Sequence, residues 1–355
     1  MSGAQSALAP WLQSQLQLLL AQRGHAWLLS GPSGLGQFEL ALALAKAWLC
    51  EQASAAGACG VCASCHAVDV HTHADLSLLM PETLSLELGW PIDEKRQEKI
   101  DKKEAKPSKQ ITVDAAREAV TFTQLTRSRG NTKVVLVYPA ERMNAITANT
   151  LLKTLEEPPG EVKFILATEA GQQLLPTIRS RCQSHNMVWP DFGQALAWLT
   201  EQAGAEGKAG TKPASADLQT LLAAAGGRPA DALARLQTGA SSAAAQHWQA
   251  LPKAMARGDV SALADWAPAR ALDALQKLCH DVLALKAGAQ PRFFALQDLQ
   301  LQPAGKGSSA GPGYQALAAW SKELASSART VEHPYNAGLM LEALVSRARL
   351  ALNAK

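Results

Sequence analysis

The first half of the chain alternates between two patterns of hydrophobic residues. Apolar side chains at helical spacing predict helices over residues 11–23, 38–50 and 144–155. Short continuous apolar runs predict buried strands over residues 25–30, 133–137 and 163–167. Buried strands that alternate with helices along a chain are typical of an α/β domain with a parallel sheet. We therefore predict such a domain over residues 1–190.

The second half of the chain carries no strand pattern. After Pro190 the apolar residues recur at helical spacing, with a Gly-Gly-Arg-Pro break at residues 226–229. A length of 355 residues suits two or three domains. The sequence therefore predicts a small helical domain over residues 191–240 and an all-helical domain over residues 241–355.

Two polar segments interrupt these patterns. Residues 91–109 hold seven basic and five acidic side chains and almost nothing apolar. Such a composition cannot bury a core of its own, so we expect a mobile insertion there. Residues 305–313 (GKGSSAGPG) have the composition of a flexible loop.

Overall composition excludes some classes of protein. The net charge of +3 is too small to argue by itself for nucleic-acid binding. No run of 18 apolar residues is present, and the first residues lack the basic-then-apolar pattern of a signal peptide. We therefore expect a cytoplasmic protein with no membrane segment.

A glycine loop lies between the first predicted strand and the helix that follows it. Residues 30–38 read SGPSGLGQF, whereas a phosphate-binding loop reads G-x-x-x-x-G-K-[ST]. Gly31, Gly34 and Gly36 keep the glycines of such a loop. The Lys that would reach the phosphates is Gln37, and the hydroxyl that would hold Mg²⁺ is Phe38. The pattern predicts the architecture of a nucleotide site without its phosphate chemistry.

A cluster of cysteines follows the first long helix. Four cysteines in C-x8-C-x2-C-x2-C spacing could supply the tetrahedral sulfur ligands of a structural Zn²⁺ site: Cys50, Cys59, Cys62 and Cys65. An iron–sulfur cluster and redox or incidental thiols remain as alternatives. With four cysteines available, we expect the nearby histidines to be surface residues: His66, His71 and His73.

A short polar segment follows the third predicted strand. Residues 177–182 read TIRSRC and carry Arg181 between Ser180 and Cys182. Such an arginine has an ordinary interpretation, a solvated charge or a local salt bridge. The alternative is an arginine finger that reaches into a neighbouring subunit's ATP site. Position in the sequence does not decide between the two.

Taken in order along the chain, these motifs resemble a known family. The glycine loop and the four cysteines precede LLKTLEEPP at residues 151–159, FILAT at residues 164–168 and SRC at residues 180–182. This set resembles the bacterial clamp-loader AAA+ subunits of DNA polymerase III. The resemblance covers residues 1–237 well and the remainder only in helical character. It implies that the two helical domains are the lid and the collar of the family.

Within that family, gamma and tau hydrolyse ATP and delta prime does not, and this sequence departs from the hydrolysing pattern at three places. Gln37 and Phe38 replace the loop Lys and hydroxyl. Tyr138-Pro139 replaces the acidic pair expected after the second predicted strand. Ala230 stands where the lid arginine belongs, with Arg228 two positions away. The resemblance therefore implies a delta prime type subunit that binds no ATP and has no catalytic site of its own.

The resemblance also implies partners and a role. The chain is expected to act as a stator beside gamma or tau and delta, in a complex that loads the sliding clamp on primed DNA. Arg181, with Ser180 and Cys182, is expected to act on a neighbour's ATP. The alternatives are an ATP-hydrolysing gamma or tau type motor and a zinc-ribbon DNA-binding regulator. Residues 50–66 contain no Lys or Arg, which argues against the regulator.

Overall fold

The computed structural model describes residues 8–206, 213–237, 241–299, 312–331 and 336–354. The chain divides into two compact units, Met1–Pro190 and Asp191–Lys355. Each unit is described by itself. The further boundary at residue 240 remains a prediction.

The first unit is built around a parallel sheet. Its five strands lie in the order β2-β3-β4-β1-β5. Their bounds are β1 Ala26–Ser30, β2 Leu76–Leu79, β3 Lys133–Val137, β4 Val162–Thr168 and β5 Gln183–Asn186. Leu28 of β1 pairs with Leu166 of β4, and Val135 of β3 pairs with Phe164. The predicted α/β domain with a parallel sheet is confirmed.

Within residues 8–190, eight α-helices accompany this sheet. They are α1 Pro10–Leu20, α2 Gln37–Leu49, α3 Ala63–Asp69, α4 Glu82–Leu88, α5 Glu94–Asp101, α6 Val113–Gln124, α7 Ala145–Glu156 and α8 Pro176–Arg179. Side-chain caps fix several starts. Thr112 accepts from the N–H of Ala115, and Asn144 accepts from that of Thr147. Two prolines follow α7 at residues 158 and 159, which stops the helix.

The core of this unit lies between the sheet and its helices. All five positions of β3 are buried, as expected for a parallel strand covered on both faces. Leu151 and Leu155 of α7 pack into the same cluster as Phe164. Lys133 is buried too, and its Nζ donates to the carbonyl oxygen of Phe122 at 2.7 Å.

The sequence patterns missed two of the strands. β2 has four residues, too few for a clear period, and β5 is the polar segment QSHN. β5 forms because its backbone pairs with β1, where Leu28 lies opposite Ser184. Pairing of this kind comes from tertiary structure and leaves no trace in local hydrophobicity.

The charged segment at residues 91–109 is more structured than expected. It contains α5, whose N-terminus is capped by the side chain of Asp93. Arg96 donates from Nε and Nη2 to the two carboxylate oxygens of Glu82, at 2.6 and 2.9 Å. Glu82 also accepts from the N–H of Ser108 at 2.7 Å. The segment therefore holds a helix that its composition did not predict, and one ion pair anchors it to α4; the mobility expected of the insertion stays a prediction.

The second unit is helical over the residues that the structure describes. Its helices are α9 Phe192–Glu206, α10 Ser215–Ala224, α11 Pro229–Gln237, α12 Ser241–Arg257, α13 Pro268–Lys286, α14 Tyr314–Ala328 and α15 Ala337–Asn353. A small apolar cluster joins the first three, and a larger one joins the last four. Gly226 and Gly227 have φ of +71° and +82°, which ends α10 at the predicted break.

The structure bears only in part on two further expectations, the loop at residues 305–313 and the absence of a membrane segment. The predicted loop at residues 305–313 lies outside the described residues, except for its last two positions. Among the helices described, none combines the length and the apolar character that crossing a membrane requires.

Candidate functional sites of the first unit

The glycine loop between β1 and α2 depends on all three of its glycines. Gly34 and Gly36 have φ of +78° and +92°, a conformation that residues with side chains rarely adopt. A Cβ on Gly31 would lie 2.7 Å from the Cβ of Met187, so only hydrogen fits there. The backbone of a phosphate-binding loop is therefore retained.

Gln37 occupies the position of the phosphate-binding lysine and turns its side chain back onto the loop. Its Nε2 donates to the carbonyl oxygens of Gly31 and Pro32, at 2.6 and 2.7 Å. The residue is 2% exposed. Both amide hydrogens are thus used inside the loop, and the side chain carries no charge with which to neutralise phosphate.

Phe38 takes the position of the magnesium-binding hydroxyl and lies in an aromatic group. Its ring centroid is 5.1 Å from that of Tyr138 and 6.5 Å from that of Trp90, the latter edge-on. Trp90 stacks in turn on His71 at 3.7 Å. Since Mg²⁺ requires oxygen ligands, this aromatic packing gives the position a structural role instead.

The polar groups at the end of β3 are also used internally. The hydroxyl of Tyr138 donates to Glu169 Oε1 at 3.0 Å. Burial, followed by the nearby charge of Glu169, raises the pKa of Tyr138. Three residues further on, the carboxylate of Glu141 accepts from the Thr168 hydroxyl at 2.6 Å and from the N–H of Glu169 at 3.2 Å. The structure thus supplies hydrogen bonds within the protein where a nucleotide site holds a free acidic pair.

The four predicted cysteines come together. Their Sγ atoms all lie within 4.8 Å of one another. Two of the separations are 3.8 Å between Cys50 and Cys62 and 4.0 Å between Cys59 and Cys65. A tetrahedral zinc ion with Zn–S bonds of about 2.3 Å places its sulfurs about 3.8 Å apart. The set fits a zinc ion, and all four cysteines are free of disulfide bonds.

Backbone N–H groups point at these sulfurs. Cys50 Sγ accepts from the N–H of Cys59 at 3.2 Å, and Cys62 Sγ accepts from that of Cys65 at 3.4 Å. Burial opposes ionisation of Cys62, but hydrogen bonds from backbone and neighbouring thiols outweigh it and lower its pKa to about 6. Burial raises the pKa of Cys65 to about 12. A cation held by all four sulfurs would favour the thiolate form of each.

The nearby histidines do not all lie at the surface. His73 is 8% exposed, and its Nδ1 accepts from the N–H of Asp75 at 3.0 Å. Its Nε2 therefore carries the hydrogen and donates to Ser64 Oγ at 2.7 Å, while burial lowers the pKa of the imidazole. His71 is half-buried against Trp90, and only His66 is exposed. The expectation of surface histidines is wrong for His73, which is buried.

Arg181 follows α8 and forms a local ion pair. Its Nε and Nη2 donate to a single oxygen of Glu156, Oε2, at 3.1 and 2.9 Å. Its Nη1 donates to the carbonyl oxygen of Thr177 at 3.0 Å. The arginine side chain is 29% exposed and that of Glu156 58%. The local salt bridge of the ordinary interpretation is present, with one solvent-exposed partner.

The neighbours of Arg181 differ from it in exposure. Ser180 is exposed and donates from Oγ to the carbonyl oxygen of Thr177 at 3.2 Å. Cys182 packs against the apolar core of the sheet, and burial raises its pKa to about 12. The thiol therefore contributes packing below the loop, whereas Arg181 remains partly exposed.

Several of these partners were missed in the sequence. Glu156 lies within LLKTLEEPP, 25 positions before Arg181, and the spacing between the two motifs gives no sign of their contact. Trp90 and His71 reach Phe38 from separate segments in the same way. A signal for Glu141 was available, because it is the first carboxylate after β3.

Comparison with known proteins matches this architecture. A family model described as "DNA polymerase III, delta subunit" matches residues 5–189. DNA polymerase III subunit delta' of Pseudomonas aeruginosa is 38% identical over 222 residues, which are 62% of this chain and 58% of that protein. Its counterpart in Escherichia coli is 34% identical over 290 residues, 79% of this chain and 77% of that protein. DNA polymerase III subunit tau of E. coli is 32% identical over 216 residues, 61% of this chain and 29% of that protein.

The parallel sheet, the glycine loop after β1 and the helical second unit fit a protein of the AAA+ class. The match spans little more than half the length of the P. aeruginosa relative and about three quarters of that from E. coli. On the family model and these relatives, the chain belongs to the delta prime family of DNA polymerase III subunits.

Proposed function

We propose that this chain is a non-hydrolysing stator subunit of a clamp loader. The observation that carries the proposal is the conformation of the loop. Gln37 donates both of its amide hydrogens to the carbonyl oxygens of Gly31 and Pro32. Phe38 packs against Tyr138 in the place of a metal ligand. A site built in this way offers a nucleotide neither the cation nor the Mg²⁺ ligand that ATP hydrolysis needs.

Titration calorimetry of the purified chain with ATP and Mg²⁺ tests this proposal. We expect no binding in the micromolar range, because a hydrogen bond to a charged group contributes about 1.5–3 kcal/mol and the metal site is missing as well. The double variant Gln37→Lys, Phe38→Thr should still hydrolyse no ATP, since Tyr138-Pro139 supplies no carboxylate. Micromolar affinity of the unmodified chain would contradict the proposal.

Arg181 is proposed to act in trans on the ATP of a neighbouring motor subunit. Its guanidinium is held by Glu156, whose side chain is 58% exposed. Exposed ion pairs contribute about 0–1 kcal/mol, so exchanging Glu156 for a phosphate costs little. A guanidinium can then stabilise the charge of the transferring phosphoryl group.

A structural zinc ion is proposed at the four cysteines. Their mutual distances and the N–H groups directed at the sulfurs support it. Elemental analysis of chain purified without chelator should give one zinc per molecule, and Cys62→Ser should lose it. Cys279→Ser is the matched control, because Cys279 lies in α13 and donates to the carbonyl oxygen of Leu317. Metal-free chain that is fully folded would refute the assignment.

The proposed partners are the gamma or tau and delta subunits, with the sliding clamp and primed DNA reached through the complex. Membership of the delta prime family supports this, and it also supports a cytoplasmic location. Reconstitution of the chain with motor and delta subunits, followed by clamp loading on primed DNA, tests it. Failure of the chain to join that assembly would overturn the proposal.

A further inference from the structure

A separate concentration of charge lies in the second unit. Two helices carry the same order of charges, positive, negative, positive, at spacings of three and four residues. The residues are Arg228, Asp231 and Arg235 at α11, and Arg270, Asp273 and Lys277 on α13. Residues so spaced share one face of a helix. Arg235 Nη2 lies 3.5 Å from Asp273 Oδ2, so the two faces meet.

The group holds four cations and only two carboxylates, and three of the cations contact those carboxylates. Asp231 Oδ2 lies 2.7 Å from Arg228 Nε, and Asp273 Oδ2 lies 2.7 Å from Lys277 Nζ as well as near Arg235. Within the described residues, Arg270 forms no ion pair with a carboxylate. Its guanidinium lies over the ring of Trp266 at 4.4 Å. The group therefore keeps a surplus of two positive charges.

The side chains that carry this surplus of charge are largely buried. The side chains of Lys277, Arg235 and Arg228 are 8%, 15% and 21% exposed. Burial lowers the pKa of Arg235, Arg270 and Lys277. Arginine nevertheless stays charged in proteins, so the cost of burying uncompensated charge remains.

Some donors of the group are also unused. Nε of Arg270 is buried without an acceptor. Nε of Arg228 is close to Asp231, but its direction does not make a hydrogen bond. Lys277 and Arg235 lie over the ring of Trp248 at 6.0 and 5.4 Å, and ring faces attract cations without neutralising them. The group therefore keeps positive charge and N–H donors with which it could bind an anion.

We propose that Arg228, Arg235, Arg270 and Lys277 form a binding site for a phosphate group. A phosphomonoester carries a charge of about −1.5 to −2, which matches the surplus. Guanidinium groups bind phosphate oxygens with paired N–H donors, and three of the four cations are arginines. Inorganic phosphate, a nucleotide and a nucleic-acid backbone share this chemistry. The site is independent of the glycine loop of the first unit.

Phosphate titration of the full, zinc-loaded chain at constant ionic strength tests the site. We expect saturable binding of inorganic phosphate, measured by calorimetry or ³¹P NMR. Arg270→Gln should raise the dissociation constant about tenfold or more, because it removes a charged donor and breaks no ion pair. Arg257→Gln is the control, since Arg257 is an exposed cation at the end of α12. Absence of saturable binding, or equal loss in both variants, would overturn the proposal.

A second measurement separates an anion site from simple packing of Arg270 on Trp266. In phosphate-free buffer, Arg270→Gln should raise the melting temperature, because it relieves repulsion among like charges. It should also lose the further rise that phosphate gives to the unmodified chain. A variant that melts lower and keeps the full response to phosphate would show that Arg270 serves packing alone, against the proposal.

Competition identifies the source of the phosphate. Displacement of bound inorganic phosphate by ATP, without Mg²⁺, would assign a nucleotide, and displacement by a short single-stranded oligonucleotide would assign a nucleic-acid backbone. Both must weaken in Arg270→Gln, which separates them from any binding at the glycine loop. Displacement by neither leaves inorganic phosphate as the ligand. A polyglutamate peptide that binds where phosphate does not would replace the proposal with a carboxylate-bearing protein partner.

Discussion

Two of the Arg–Glu pairs in the first unit differ in geometry. Arg96 places Nε and Nη2 on separate oxygens of Glu82, which is 13% exposed and accepts a third bond from Ser108. Arg181 places both donors on one oxygen of Glu156, which is 58% exposed. The first pair anchors a charged segment to the fold through a largely buried carboxylate, whereas the second holds its arginine through a carboxylate that solvent can reach.

This difference indicates what each arginine is available to do. A pair whose carboxylate is largely withdrawn from water is costly to break by removing the arginine, because the carboxylate is left with a buried charge. A pair with an exposed carboxylate exchanges its partner at little cost. Arg96 is therefore suited to a structural role, and the exposed partner of Arg181 is consistent with the trans-acting role proposed for that residue.

Arg181→Ala should give the largest effect of these substitutions, and the effect should be on ATPase activity and not on stability. If Arg181 serves a neighbouring motor, the rate at that one ATP site should fall by about 10³–10⁵, as for arginine fingers elsewhere. The measurement is the DNA- and clamp-stimulated ATPase of the reconstituted assembly, resolved by site where possible through single-turnover kinetics. The free energy of unfolding of the isolated chain should stay close to that of wild type.

The control for this variant is Arg179→Ala, because Arg179 is exposed and two residues away in the same segment. It should lose much less activity. Arg181→Lys should recover little, since an ammonium lacks the planar fork of a guanidinium. Unchanged ATPase and clamp loading with Arg181→Ala would return that residue to a surface salt bridge.

Glu82→Gln should give the second largest effect, this time on stability. The substitution removes the charge that accepts from Arg96 and from the N–H of Ser108. We expect a loss of about 1–3 kcal/mol in the free energy of unfolding, measured by urea denaturation. ATPase of the assembly should change far less than with Arg181→Ala. A loss of function without a loss of stability would break the proposed division between the two pairs.

The same carboxylate predicts a pH dependence. The hydrogen bonds from Arg96, then from Ser108, together with the charge of Arg96, hold the pKa of Glu82 below its usual range despite partial burial. A lowered folded pKa stabilises the protein above the unfolded value of about 4.3, and this contribution is lost as the pH falls through the folded pKa. The stability difference between wild type and Glu82→Gln should be full at pH 7 and shrink below about pH 4. A difference that is constant with pH would contradict this account.

The sequence predicted those features whose residues are close together along the chain. The glycine loop and the four cysteines have their geometry encoded in local spacing, and the structure brings each set together. Partners from distant segments could not be predicted in this way. Glu82 and Arg96 lie 14 positions apart, and only Arg96 belongs to the charged segment at residues 91–109, while Glu156 and Arg181 lie 25 apart. Tertiary packing decides which arginine pairs with both oxygens of a largely buried carboxylate and which pairs with one oxygen of an exposed carboxylate.

Glu156→Gln should give the smallest effect and sharpens the comparison most, because it repeats the Glu82 substitution at the exposed pair. Loss of an exposed ion pair changes the free energy of unfolding by about 0–1 kcal/mol, so the urea midpoint should move little. The function of Arg181 should persist, since its guanidinium keeps the bond to Thr177 and no longer has to leave a carboxylate. The ATPase of the assembly should therefore equal that of wild type or exceed it slightly. A fall in ATPase comparable to that of Arg181→Ala, with stability unchanged, would mean that Glu156 positions the arginine for its neighbour, and the pair would have to be treated as one functional unit.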